Sequence, residues 1–115
     1  MKDSRAITDS DRDAIIDAVM KTQAQYVLVP HGTFTMSETG SYLRNHLQSL
    51  NGKTIVLVGS NVPLGDEGSD AIENIEFALR SLKTQSPGVW VAMSGKAWNP
   101  DEVEKNLETG EFVSK

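Results

Sequence analysis

The sequence contains no cysteine. That excludes disulfides and thiolate metal sites and leaves the redox compartment open. No apolar run approaches the roughly 20 residues a membrane span requires. The first residues, MKDSRAITDSDRD, are too polar for a secretory signal, so the cytoplasm is the expected compartment. Basic residues number 11 against 16 acidic ones, for a net charge of −5, and they are scattered rather than clustered. Nucleic-acid binding depends on grouped Lys and Arg neutralising phosphates, so neither nucleic acid nor membrane is expected as a partner. The glycines follow neither the GxGxxG nor the Walker spacing, which argues against a nucleotide cofactor. Internal repeats, low-complexity stretches and linkers are also lacking.

What is present suits one globular domain over residues 1–115, with 38% apolar and 23% charged residues. Three short, β-branched apolar runs read as strands: YVLV at 26–29, TIVLVG at 54–59 and VWVAM at 89–93. Near-continuous apolarity of this kind suits strands buried on both faces of a parallel sheet. Helical patterns lie between them. Ile15, Ile16, Val19 and Met20 form one stripe, behind Thr8 or Ser10 as cap. Met36, Gly40, Leu43, Leu47 and Leu50 form a second, closed by Asn51-Gly52. Ile72, Ile75, Leu79 and Leu82 form a third, and Asn99-Pro100 opens a possible short fourth helix. A terminal strand is expected near Phe112. The order predicts an α/β fold, a three- or four-stranded parallel sheet flanked by helices. Ligands in such sheets sit beyond the carboxyl ends of the strands, which selects residues 31–35, 60–69 and 94–99.

In the first of these loops, PHGTFT, Gly32 permits a sharp turn and close approach to a ligand. Thr33 and Thr35 offer hydroxyls at the start of a helix, though a threonine needs a base to act as nucleophile. The same residues also fit a plain helix cap, with His31 hydrogen-bonded beneath the sheet edge. In the second loop Ser69 or Asp70 can cap the following helix. A hard cation on Asp66, Glu67 and Asp70 is the weaker reading, and no metal is expected. Lys96 and Lys105 follow the third strand. Burial lowers a lysine pKa and fits it to act as base, but most lysines are simply solvated. His46 reads as a surface residue.

Together these motifs resemble the bacterial-type L-asparaginases. PHGTFTMSET is similar to the family's THGTDTMEET segment. GSNVPLGDEGSDAIENIEFAL is similar to its next loop and helix through Gly59, Pro63, Ser69, Asp70 and Asn74. GVWVAM with the segment reaching Lys105 is similar to the strand and loop after that. The resemblance implies a trimmed, Rossmann-like asparaginase N-terminal domain of asparagine/glutamine amidohydrolase ancestry, converting a side-chain amide to acid and ammonia without a cofactor. It implies that Thr33 and Lys105 are catalytic and that Ser4, Gly32 and Phe34 line a site for a small amino-acid-like ligand, Ser4 at its α-carboxylate. Two departures count against activity. The family aspartate that grips the substrate's α-amino group is replaced by Phe34, and the family's first strand with its nucleophilic threonine, like its C-terminal domain, finds no counterpart. The alternatives are a non-catalytic ligand-binding or oligomeric interaction module, and a chain completed by a partner, or related to a tRNA-dependent amidotransferase subunit. An unpaired apolar strand edge predicts a homo-oligomer.

Overall fold

The computed structural model describes residues 3–47, 51–62 and 65–115. A 3₁₀ turn at Ser4–Ala6 leads into α1 (Asp9–Lys21), β1 (Tyr26–Pro30), α2 (Met36–His46), β2 (Thr54–Val58), α3 (Ala71–Thr84) and β3 (Gly88–Met93). Three further strands follow: β4 (Lys96–Trp98) completes the main sheet, and after a 3₁₀ turn at Pro100–Glu102, β5 (Val103–Lys105) and β6 (Phe112–Ser114) form a second. The main sheet runs β1-β2-β3-β4, and β5 pairs with β6 in a separate two-stranded ribbon.

The three apolar runs form the parallel strands, in a register that aligns Val29, Leu57 and Val91. β2 is buried along its whole length, as a central strand covered on both faces must be. The fourth strand departs from the all-parallel expectation. Ser94 and Gly95 both adopt positive φ, 54° and 72°, the requirement of a tight hairpin turn, so the chain folds straight back antiparallel. Residues 94–99 are therefore mostly sheet. The fourth helix reduces to the Pro100–Glu102 turn, capped as anticipated by Asn99 on the Asp101 N–H. The strand at Phe112 is present as β6.

Thr8 is the cap of α1, in a reciprocal pair with Asp11. α2 ends at His46, short of Asn51-Gly52, and Leu50 of the anticipated stripe lies outside the described residues. One sheet face is packed by Val19 of α1, Met36 and Leu43 of α2, and Val103 and Phe112 of the ribbon against Ile55, Leu57 and Val91. The other face is packed by Ala78 and Leu82 of α3 against Val56, Val58 and Ala92.

The third stripe is a correction. Ile72, Ile75 and Leu79 are 62%, 39% and 49% exposed, and only Leu82 of the four is buried. α3 instead turns Ala71, Asn74, Ala78 and Ser81 toward the sheet. Small side chains let the helix approach closely, which moves its larger apolar residues to the flank. No helix among the described residues is long and apolar enough to cross a membrane.

Candidate active site

β1 delivers the chain into residues 31–35 at its carboxyl end. His31 is 3% exposed, and its ring bonds Gly32 O through Nδ1 (2.6 Å) and Thr39 Oγ1 through Nε2 (2.8 Å). A carbonyl can only accept, so Nδ1 carries a proton, and in the neutral ring Nε2 then accepts from the threonine hydroxyl. Thr39 Oγ1 in turn accepts from Arg12 Nε at 2.8 Å. This chain of donors from α1 through α2 fixes the orientation of the Gly32 carbonyl. Burial lowers the His31 pKa, and the nearby Arg12 adds to that while the Gly32 bond and Glu38 oppose it. The lowered pKa favours the neutral imidazole, which this bonding pattern accommodates.

Gly32 is needed for a close approach: a Cβ there would lie 2.9 Å from Ser4 Cβ and 3.0 Å from its backbone nitrogen. Ser4 is 1% exposed and sits on the loop, where its Oγ accepts from Thr35 N (3.2 Å) and its carbonyl from Thr35 Oγ1 (2.7 Å). Thr35 precedes α2 without capping it through its side chain, because its hydroxyl is committed to Ser4.

Thr33 is 6% exposed, and its Oγ1 accepts from Lys105 Nζ at 2.7 Å across 72 residues of chain. Several contacts carry Lys105 there. Val103 and Phe112 anchor the ribbon in the core, Gly40 allows Pro100 against α2, and Arg44 Nη1 bonds Asn99 Oδ1 (2.8 Å) and Asp101 Oδ2 (2.5 Å). Burial lowers the Lys105 pKa from its ordinary value, with Asp70 pulling the other way. Asp70 does not cap α3 with its side chain; its carboxylate accepts from Asn61 N, Val62 N and Asn74 Nδ2. Its burial acts to raise its pKa, yet these donors outweigh it and hold the carboxyl below the usual range. Ser69 donates to Val62 O and accepts from Ala71 N, so both candidate caps tie the loop to the helix. Pro63 lies outside the described residues.

Phe34 is 44% exposed, and its ring centroid lies 4.3 Å from Lys105 Nζ and 4.4 Å from the Arg5 guanidinium carbon. Arg5 is also paired with Asp3 at 2.8 Å, and that contact holds the Asp3 carboxyl down to about 2. Thr33, Phe34 and Lys105 therefore meet in one corner, and Gly32 and Ser4 support the loop behind it. Lys96 lies apart, over Trp98, and His46 stacks on Tyr42 at the surface. Arg5, Arg12 and Thr39 were not singled out by sequence reasoning. Arg12 and Thr39 sit in ordinary helical patterns, and only the buried His31 that they serve hinted at partners.

The corner sets a threonine hydroxyl against a lysine whose pKa burial lowers, at the strand end where α/β sheets hold ligands. Residues 1–111 match the family described as asparaginase, N-terminal. The L-asparaginase of Thermococcus kodakarensis is 31% identical over 105 residues, which cover 90% of this chain and 32% of that protein. Its solved structure superposes with a TM-score of 0.86 at 30% identity, over 98% of this chain and 35% of that one. A glutaminase-asparaginase of Acinetobacter glutaminasificans is 33% identical, over 96% of this chain and 36% of that protein. A glutamyl-tRNA(Gln) amidotransferase subunit of Methanopyrus kandleri is 34% identical over 79% of this chain and 19% of its own length. The chain spans about a third of the length of the first two relatives. By the match to its N-terminal region, the chain belongs to the asparaginase family.

Proposed function

We propose that this chain carries the threonine–lysine part of an amidohydrolase site and releases ammonia from the carboxamide of a small amino-acid-like ligand. The observation that carries the reading is the 2.7 Å bond between Lys105 Nζ and Thr33 Oγ1. With Lys105 neutral, the Thr33 proton passes to Nζ as Oγ1 adds to the amide carbon. Collapse expels ammonia, which takes the proton from Nζ, and leaves an ester on Thr33. Water then cleaves the ester to the acid and restores the hydroxyl. Ser4 and Gly32 shape the loop that presents the threonine, and Phe34 lies against the lysine.

Ammonia release from asparagine and glutamine tests this reading. Activity lost in Thr33→Val is expected, and Lys105→Met is expected to lower the rate by roughly 10²–10⁴, the range for a general base. The rate should rise with pH as Lys105 deprotonates, below the ordinary lysine value of 10.5. A second reading is favoured by Phe34, which supplies no carboxylate at the site: a binding module without chemistry. It predicts no ammonia release together with thermal stabilisation by a ligand.

On the same reading, copies of the chain associate through β1. Among the described residues its outer edge has no partner strand, and β2 occupies only the inner one. A groove of about 430 Å³, lined by Ile15, Ala18 and Val19, flanks that edge on one side. Another of about 400 Å³, lined by Tyr26, Leu79 and Leu82, flanks it on the other. A second β1 paired about a twofold axis would satisfy the free backbone groups and insert side chains into both grooves.

A further inference from the structure

We infer that the exposed stripe of α3, Ile72, Ile75 and Leu79, is a surface on which a second copy of this chain packs its own α3 antiparallel. The inference rests on the association between copies proposed above and adds the contact that fixes its direction.

Seven large apolar side chains are exposed among the described residues, and three of them, Ile72, Ile75 and Leu79, share one side of one helix. A fourth, Tyr26, lines the same groove as Leu79. With Leu82 the stripe recurs at steps of three, four and three residues, the seam spacing of paired helices. The sheet does not use it, since α3 holds the sheet through Ala71, Asn74, Ala78 and Ser81. A helix laid along the stripe would remove that apolar surface from water.

Charge identifies the helix that fits. Glu73 and Glu76 lie in the N-terminal half of α3, and Arg80 and Lys83 in its C-terminal half, all four exposed. Among the described residues none of the four is in an ion pair, whereas α1 pairs Asp9 with Arg12 and Asp17 with Lys21 within its own turns. The Arg80 guanidinium carbon instead lies 5.8 Å from the Phe77 ring centroid. Sorted by sign in this way, α3 is the charge complement of itself turned end for end. An antiparallel copy sets each acidic half beside a basic half, and a parallel copy would set like charges together.

A twofold axis normal to the sheet supplies this arrangement, because it makes one patch face itself. The same axis pairs β1 with β1 antiparallel and keeps both α3 helices on one face of the extended sheet. The groove of about 400 Å³ between them, lined by Tyr26, Leu79 and Lys83, makes the two contacts continuous.

The test is sedimentation velocity of the full chain at micromolar concentration with charge-reversed forms of α3. Glu73→Lys with Glu76→Lys makes the helix margin all basic, and Arg80→Glu with Lys83→Glu makes it all acidic. Each double variant alone should associate at least about tenfold more weakly than the wild type, with its thermal transition retained. Raising the salt from about 0.05 M to about 0.5 M should narrow the difference, since screening relieves the repulsion but would not repair a misfolded helix. The two double variants mixed should associate at least as tightly as the wild type. Direction is read from the fourfold variant that carries all these changes. It should associate with itself and not with the wild type, because antiparallel mixing would set like charges side by side. Preferential mixing with the wild type would mean a parallel contact and overturn the inference, as would a monomeric wild type. Wild-type association that neither double reversal weakens would overturn the α3 contact and leave pairing through β1 standing. Charge-sensitive association with no slowing of amide hydrogen exchange in β1 would sink the β1 pairing and uphold the α3 contact.

Discussion

The two faces of the sheet are built differently. Toward α1 and α2 lie large, fully buried side chains, Met36, Leu43, Ile55 and Leu57, and the ribbon adds Val103 and Phe112. The Arg12–Thr39–His31 donor chain starts from these same two helices, so the packing that stabilises the domain also holds the candidate catalytic loop. Toward α3 the sheet meets Ala78 and Leu82, while Ile72, Ile75 and Leu79 face outward. One face carries the larger core cluster and the site. The other leaves apolar surface next to a free strand edge.

The largest expected effect tests the first half of that contrast. Leu→Ala in a core costs about 2–5 kcal/mol, more where the surroundings cannot collapse into the cavity. Leu43 is fully buried between α2 and the sheet, whereas Leu82 retains 7% exposure beside an open groove. Leu43→Ala should fall in the upper half of that range and Leu82→Ala in the lower. Urea unfolding of both variants provides the check. Equal losses would mean that the two faces are equally well packed.

How much of this was legible in the sequence follows the same division. The apolar runs of β1, β2 and β3 identified themselves because both faces of each strand need apolar residues. The Thr8 and Asn99 caps were legible because side-chain capping is local chemistry. The outward turn of Ile72, Ile75 and Leu79 was not, because periodicity shows that a stripe exists but not which neighbour covers it. Small residues at Ala71, Ala78 and Ser81 decided the packing. β4 was missed although Ser94-Gly95 is a turn signal, since a three-residue strand carries almost no pattern. At the site, the meeting of Thr33 with Lys105 came from resemblance. The placement of Arg5 by Phe34, and of Arg12 behind His31, required the fold.

A smaller effect should appear on acidification. His31 is buried as the neutral imidazole, with its folded pKa below the value near 6.5 of an unfolded chain. The unfolded state therefore takes up a proton first as the pH falls. His31's contribution to stability is complete above about pH 6.5 and is lost as the pH drops from there toward the folded pKa. Urea midpoints at pH 7.5 and 5.5 should differ in that direction, with Arg12→Met reducing the difference because its charge helps oppose protonation. A stability that rises from pH 7.5 to 5.5 in the wild type, with His31→Gln showing the same rise, would remove His31 from the account. Since the network belongs to the α1/α2 face, the loss should be accompanied by disturbance of residues 31–35 before the α3 side responds.

The smallest effect on monomer stability, and the sharpest on assembly, is expected at Leu79. Its side chain is 49% exposed and lines the groove beside Tyr26 at the free edge of β1. Exposed positions outside special features usually change stability by no more than about 0.5 kcal/mol on substitution, so Leu79→Glu should unfold much as the wild type does. The same change sets a charge in the groove that a second β1 would fill, twice over in a twofold pair. Burying those charges without partners would oppose association strongly. Sedimentation velocity should therefore show wild-type association at micromolar concentration and dissociation in Leu79→Glu. A monomeric wild type would refute pairing through β1, and an associated Leu79→Glu would move the interface elsewhere. The α3 flank would then be apolar surface that the fold tolerates because Ala71, Asn74, Ala78 and Ser81 already give the helix its hold on the sheet.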